Sequence, residues 1–196
     1  MASTYTPLGV ELMATGENAG TWGTKTNTNL NIIEQISGGY KVQTLNAAGA
    51  GANTTALTEA DGATGATVAT RIIVLGAESP QTISGNKIVT FPVGVENFYL
   101  IKNSTSGANT VQLKAASGSG ATVTWSATEK SWKLVYFDGV ATNTGVYEIE
   151  LASPPGGSDK QVQFNDNGSF GGISMGTNGQ VLTTNGTTAS FGDLAG

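Results

Sequence analysis

The chain has 196 residues, 38% hydrophobic and 12% charged, both fractions below the roughly 45–50% and 25% of ordinary soluble domains. Small polar residues fill the gap and favour strands and turns over long helices. A net charge of −5 leaves no basic footprint for nucleic acid, and the lack of histidine and cysteine removes the usual general base, the Ser–His and Cys–His nucleophiles, disulfides and thiolate metal sites.

Residues 1–40 form an N-terminal segment with one helical signal. The opening Met1-Ala2-Ser3-Thr4-Tyr5 lacks a basic-then-apolar leader, and no run of ~18 apolar residues occurs anywhere. A protein with no membrane insertion, made in the cytoplasm without a signal peptide, is expected. Thr24, Thr26 and Asn27 are candidate N-caps, Leu30, Ile33 and Ile36 recur every third residue with Ile32 broadening the stripe, and Gly38-Gly39 stops the helix. Such a helix of ~10–12 residues is marginal alone, so its apolar face must dock on something. Trp22 stands before it in a glycine-flanked loop, Gly16 to Gly23; it either packs on its own helix or anchors a partner subunit.

Residues 41–152 are expected to form an antiparallel β-sandwich. After a weak strand at Thr54–Thr58 and a turn at Glu59–Gly62, strand signals recur about every 10–14 residues between turn residues. They fall at Arg71–Leu75, Lys87–Phe91, Asn97–Lys102, Thr110–Lys114, Ala121–Ser126, Trp132–Phe137 and Val146–Leu151. Alternation predicts one packed and one solvated face on each sheet, with Tyr147, Ile149 and Leu151 packed and Glu148 and Glu150 wet. Trp125, Trp132, Tyr136, Phe137 and Tyr147 all lie in these strands and read first as core, with a sugar-binding platform as the alternative.

Ser153-Pro154-Pro155-Gly156-Gly157-Ser158 reads as a boundary opening a linker and shaft-like segment, 153–196. Disorder is its competing reading. Gln161-Val162, Asn167-Gly168 and Ser169-Phe170-Gly171 are echoed by Gln180-Val181, Asn185-Gly186 and Ser190-Phe191-Gly192. Each copy has an Asn-Gly pair suited to a hairpin turn, and a hairpin that cannot bury a face alone must stack on a neighbour.

Candidate chemistry is thin. The fourteen acidic residues lie mostly in turns or on predicted wet faces, where a glycosidase needs two flanking a sugar. Asn165-Asp166-Asn167-Gly168 lacks the ligand alternation and late glutamate of a calcium loop. Gly16–Gly23 and Gly49–Gly51 lack the lysine of a phosphate-binding loop. No catalytic residue, metal or cofactor is assigned, and no enzyme activity is expected.

The stretches Tyr5-Thr6-Pro7-Leu8-Gly9-Val10-Glu11-Leu12-Met13, Gly16–Gly23 and Thr26–Glu34 resemble the N-terminal region of tail-fibre-like virion structural proteins of marine bacteriophages, those of cyanobacteria and their relatives. The run Gly156–Gly172 is similar to a segment that recurs in phage fibre shafts. The resemblance covers about sixty residues at the two ends and implies a homotrimeric fibre in the virion tail. Its N-terminal region would attach to tail proteins near the adaptor, nozzle or portal, and a distal region would face the host receptor. Trp22, Leu30, Ile33 and Ile36 are then the expected attachment interface, with Phe164 and Phe170 in the shaft. A capsid decoration or head-fibre protein is the first alternative and a small polysaccharide depolymerase the second.

Overall fold

The computed structural model describes residues 2–46, 53–76, 80–151, 155–167 and 169–193. Gly49–Gly51, Glu78, the Ser153-Pro154 boundary, Gly168 and Leu194-Ala195-Gly196 lie outside the described residues. The chain divides into two compact units, Met1–Ile149 and Glu150–Gly196, so residues 1–40 share a unit with the strands that follow.

The protein is mainly β, with one helix among the described residues. In chain order the first unit contains β1 (Thr4–Tyr5), β2 (Glu11–Leu12), α1 (Trp22–Gly38), β3 (Tyr40–Gln43), β4 (Thr54–Ala56), β5 (Ile72–Leu75), β6 (Gln81–Thr82), β7 (Lys87–Phe91), β8 (Glu96–Asn103), β9 (Thr105–Ser106), β10 (Val111–Ala115), β11 (Val123–Trp125), β12 (Trp132–Asp138) and β13 (Val146–Glu148). The second contains β14 (Val162–Asp166), β15 (Ser169–Ile173), β16 (Val181–Thr184) and β17 (Ala189–Gly192).

Two main sheets carry the first unit, ordered β11-β10-β7-β4 and β13-β12-β8-β5-β3. The antiparallel pairing expected throughout is corrected here, because both sheets are mixed. β4, β7 and β10 run parallel, as do β3, β5 and β8, and only β11, β12 and β13 pair antiparallel. The cause is the path of the chain: from β3 to β10 the long strands alternate between the two sheets. Each therefore returns to its own sheet through a strand of the other, and neighbours end up pointing the same way. Turn residues every ten or so positions look the same whether they close a hairpin or such a crossover.

The inward residues of both sheets form one cluster that includes Val89, Phe91, Leu113 and Trp125 from one and Ile73, Tyr99, Ile101, Val135 and Phe137 from the other. The Phe91 and Phe137 rings stack at 3.7 Å between centroids, and Tyr99 meets Phe137 at 4.5 Å. Burying each such side chain contributes about 1.5–3 kcal/mol. In β7 and β10 every second residue is buried, the period expected of a sheet with one covered face. The Tyr99 hydroxyl donates to the Val68 carbonyl at 2.7 Å, and burial pushes its pKa far up.

Helix α1 is longer than the sequence predicts, 17 residues with Thr21 at its N-cap. Thr24, Thr26 and Asn27 therefore sit inside it. Thr21 makes no side-chain cap; instead the Asn18 carbonyl accepts the N–H groups of Thr21 and Trp22, both at 2.8 Å. The helix ends at Gly38, and the Gly39 N–H donates to the Gln35 carbonyl at 2.8 Å. A Cβ at Gly39 would stand 2.6 Å from that oxygen, so only glycine allows β3 to leave at once. The stripe expected from three-residue spacing is displaced: Ile32 is the buried helix residue, packed with Ala66, Ala69, Val10, Ile36 and Ala60. Ile32 and Ile36 are one turn apart and share that face.

In the second unit each repeat folds as a hairpin, β14 on β15 and β16 on β17. Asn167 takes the left-handed conformation, φ 51°, in the tight turn of the first. The Asn185 carboxamide oxygen holds the longer turn of the second by accepting from Thr187 N and Thr188 N at 2.9 and 2.8 Å. Among the described residues of this unit no hydrophobic side chain is fully buried.

Candidate interaction surfaces

The helix is held rigidly from one side. The Asn29 side chain pairs with the backbone of Glu11 in both directions, each bond 2.9 Å. Lys25 Nζ stands 2.9 Å from Glu11 Oε2, and this bond draws the Glu11 pKa below the usual carboxylate range and raises that of Lys25. Gln35 donates to the carbonyls of Ala66 and Ala69 at 3.1 and 2.7 Å and accepts from Gly65 N at 2.8 Å.

Beside these anchors three large apolar residues of the helix are exposed. Trp22 is 65% exposed, Leu30 57% and Ile33 51%. Trp22 and Ile33 are about three turns apart and so lie on one side of the helix. Leu30, Ile33, Glu34, Ser37, Gly38 and Gly39 line an open groove along the second half of α1. Trp22 is the first residue of α1 and does not stand before it in the loop. Of the four expected helix residues, Ile36 alone turns toward the small core. Phe164 and Phe170 belong to the second unit, on β14 and β15, and are 43% and 55% exposed.

A second surface was not legible as such. The outer face of the five-stranded sheet, expected to be solvated and polar, is apolar. Register places Tyr147 beside Tyr136 and Tyr136 beside Phe98, and next to them Leu134, Leu100, Ile72 and Tyr40 in a row. Phe98, Trp132, Tyr147 and Tyr40 are 45–54% exposed. Two cations lie over this face, the Arg71 guanidinium 3.7 Å from the Phe98 ring centre and Lys102 Nζ 5.7 Å from that of Trp132, contacts that shield the rings from water on one side. The expected facing of the last strand holds only for its acids: Glu148 and Glu150 are exposed, but so are Tyr147, Ile149 and Leu151, which were expected to pack. Val146 is buried, Tyr147 points out, and Glu148 reaches Lys133 at 2.8 Å. Of the five strand aromatics, Trp125 and Phe137 are core, whereas Trp132 and Tyr147 are exposed. A signal was available: Phe98-Tyr99-Leu100-Ile101 and Leu134-Val135-Tyr136-Phe137 are apolar at both parities, the pattern of a strand with two apolar faces.

The carboxylates with resolved partners serve the fold. Lys133, 8% exposed, binds Glu129 at 2.9 Å as well as Glu148. Burial pushes Glu129 up, but bonds from Lys133 and Ser131 outweigh it and leave its pKa below the usual range. Asp138 Oδ1 accepts from Gly145 N and Val140 N at 2.9 and 3.1 Å, which lowers its pKa too. A glycosidic general acid requires the opposite, a carboxyl kept protonated. Among the described residues no three acidic groups converge on a metal-sized space.

Comparison of the chain with protein-family models, with curated proteins and with solved structures found no match.

Proposed function

We propose that this chain is a non-enzymatic structural subunit of a bacteriophage particle, an attachment region of a tail fibre that works by holding other subunits in place. The observation that carries the reading is the exposure of Trp22, Leu30 and Ile33, each more than half exposed on a helix that is bonded to the body at Lys25, Asn29 and Gln35. A rigid presentation of a large aromatic beside aliphatic neighbours is what an interface anchor requires, because little ordering entropy remains to be lost on binding. The likeness of the stretches within residues 5–34 to virion structural proteins supports a place in the particle, and a fibre of that kind would attach to the tail near the adaptor, nozzle or portal. In this reading the two-sheet body is a β-sandwich and the paired hairpins begin a shaft. Three chains associate through exposed side chains such as Phe164 and Phe170, and a distal region meets the host receptor.

The test is Trp22→Ala in the gene carried by the phage, with the protein tagged for imaging of intact particles. The wild type is expected at the tail, and the variant is expected to fold yet be depleted from particles. Label on the shell would replace the tail with the capsid, and undiminished incorporation of the variant would remove Trp22 as anchor.

A further inference from the structure

The two hairpins of the second unit are preceded by the same turn, and the two copies differ in one chemically decisive pair. Gly157-Ser158-Asp159-Lys160-Gln161-Val162 aligns residue for residue with Gly176-Thr177-Asn178-Gly179-Gln180-Val181. In the first, Ser158 N donates to the Gln161 carboxamide oxygen at 2.9 Å and Gln161 N to the Ser158 carbonyl at 3.3 Å. In the second, Thr177 N donates to Gln180 Oε1 at 2.9 Å and Gln180 N to the Thr177 carbonyl at 3.1 Å. The third turn residue is left-handed in both, Lys160 at φ 69° and Gly179 at φ 92°. One turn thus carries Asp-Lys where the other carries Asn-Gly.

An asparagine followed by glycine can cyclise on itself. The glycine amide nitrogen attacks the asparagine Cγ, the new N–Cγ bond closes a five-membered succinimide, and the Cγ–Nδ2 bond breaks with release of ammonia. Water then opens the ring to aspartate or isoaspartate, adding one negative charge. The reaction needs an attacking amide that is not tied up and a carboxamide free to swing. Asn178 and Gly179 are exposed, and in a turn closed between the first and fourth residues the third residue's N–H is left out of the hydrogen-bond ring. Asn185-Gly186 has the same pair of residues and equal space around its glycine, but different bonding. Gly186 N donates to Thr184 Oγ1 at 3.1 Å, and Asn185 Oδ1 is held by Thr187 N and Thr188 N. Hydrogen bonding separates the two sites where steric access does not.

We propose that Asn178 is a self-modification site of the folded protein, converting with water as the only co-reactant to the acid that Asp159 already supplies in the first repeat. The turn accepts an aspartate there, since its twin is built with one. The inference does not depend on the role in a virion.

Peptide mapping by mass spectrometry of the full chain, aged in mildly alkaline buffer, tests it. The peptide holding Asn178 is expected to gain one mass unit about fivefold faster than that holding Asn185, the ratio set by one net hydrogen bond. The two rates should converge in urea. Thr184→Val should speed Asn185 in the folded chain, and Gly179→Lys, which copies Lys160, should suppress conversion at Asn178. Equal rates at the two sites in the folded chain, or conversion at Asn178 undiminished by Gly179→Lys, would overturn the proposal.

Discussion

Both units expose aromatic residues, but among the described residues the first alone also buries some completely. The first hides Trp125, Tyr99 and Phe137 completely, while the second leaves Phe164 and Phe170 about half exposed. One unit draws its order from a filled interior; the other draws it from turns, with Gln161 and Gln180 closing the bends before each hairpin and Asn185 the bend within the second. Two-stranded hairpins are marginal in water, so an exposed phenylalanine on one is worth more to a neighbour than to its own strand. The contrast is quantitative and can be broken by substitution.

The largest effect belongs to Trp125→Ala. Its side chain is fully buried and its indole N–H donates to the Ser131 carbonyl at 3.1 Å, so the expected cost is about 3–5 kcal/mol from lost burial and the cavity left behind. Denaturant unfolding followed by circular dichroism measures it. A cost under about 1 kcal/mol would show that the sheets do not depend on a common interior. Tyr99→Phe is smaller: it keeps the ring against Phe137 and strands the Val68 carbonyl, at about 1–2 kcal/mol in the same assay.

Acidification acts on the first unit through Glu11, Glu129 and Asp138, whose pKa values in the folded chain lie below their ordinary ones. Groups of this sign contribute stability that is present above the unfolded pKa and lost as pH falls through the folded one. The denaturation midpoint is therefore expected to drop below about pH 4. No histidine exists to add an inflection near neutrality. A midpoint that stays constant into strong acid would mean that these bonds contribute nothing to folding.

Much of the first unit is legible because its strands are local events: Lys87–Phe91 agrees to the residue and most other alternating or apolar runs to within one or two, but the strand expected over Val146–Leu151 ends at Glu148. Pairing direction was not, since it depends on which sheet each successive strand joins, and β3 with its Tyr-Lys-Val-Gln carries too little pattern to be noticed before its neighbours are in place. The helix face failed for a related reason. Of the stripe Leu30, Ile32, Ile33 and Ile36, only Ile32 and Ile36 meet Ala66 and Ala69 while Leu30 and Ile33 stay exposed, and only the position of that distant loop decides between them. The candidate surface was legible as residues and illegible as exposure.

Phe164→Ala with Phe170→Ala sharpens the comparison from the other side. Both rings are exposed, so the expected change in stability is within about 0.5 kcal/mol. Sedimentation of wild type and double variant reads the other quantity, and self-association is expected to weaken in the variant. A loss of stability comparable to that of Trp125→Ala would erase the distinction between the units.

The smallest effect tests whether turn chemistry alone governs the second unit. Lys160 occupies a left-handed position, φ 69°, where the twin turn has Gly179, and a side chain there costs roughly 1–2 kcal/mol relative to glycine. Glycine in turn loses about 0.5–1 kcal/mol more backbone entropy on folding. The two nearly offset, so Lys160→Gly is expected to stabilise the first hairpin by about 0.5 kcal/mol, and Gly179→Lys to destabilise the second by a similar amount. Amide hydrogen exchange along the Val162–Ile173 and Val181–Gly192 ladders resolves each hairpin separately. Opposite shifts confined to the substituted hairpin would mean that each turn governs only its own ladder. Equal shifts in both would show that the hairpins order together, and the exposed phenylalanines would then have to be counted as part of one folding unit.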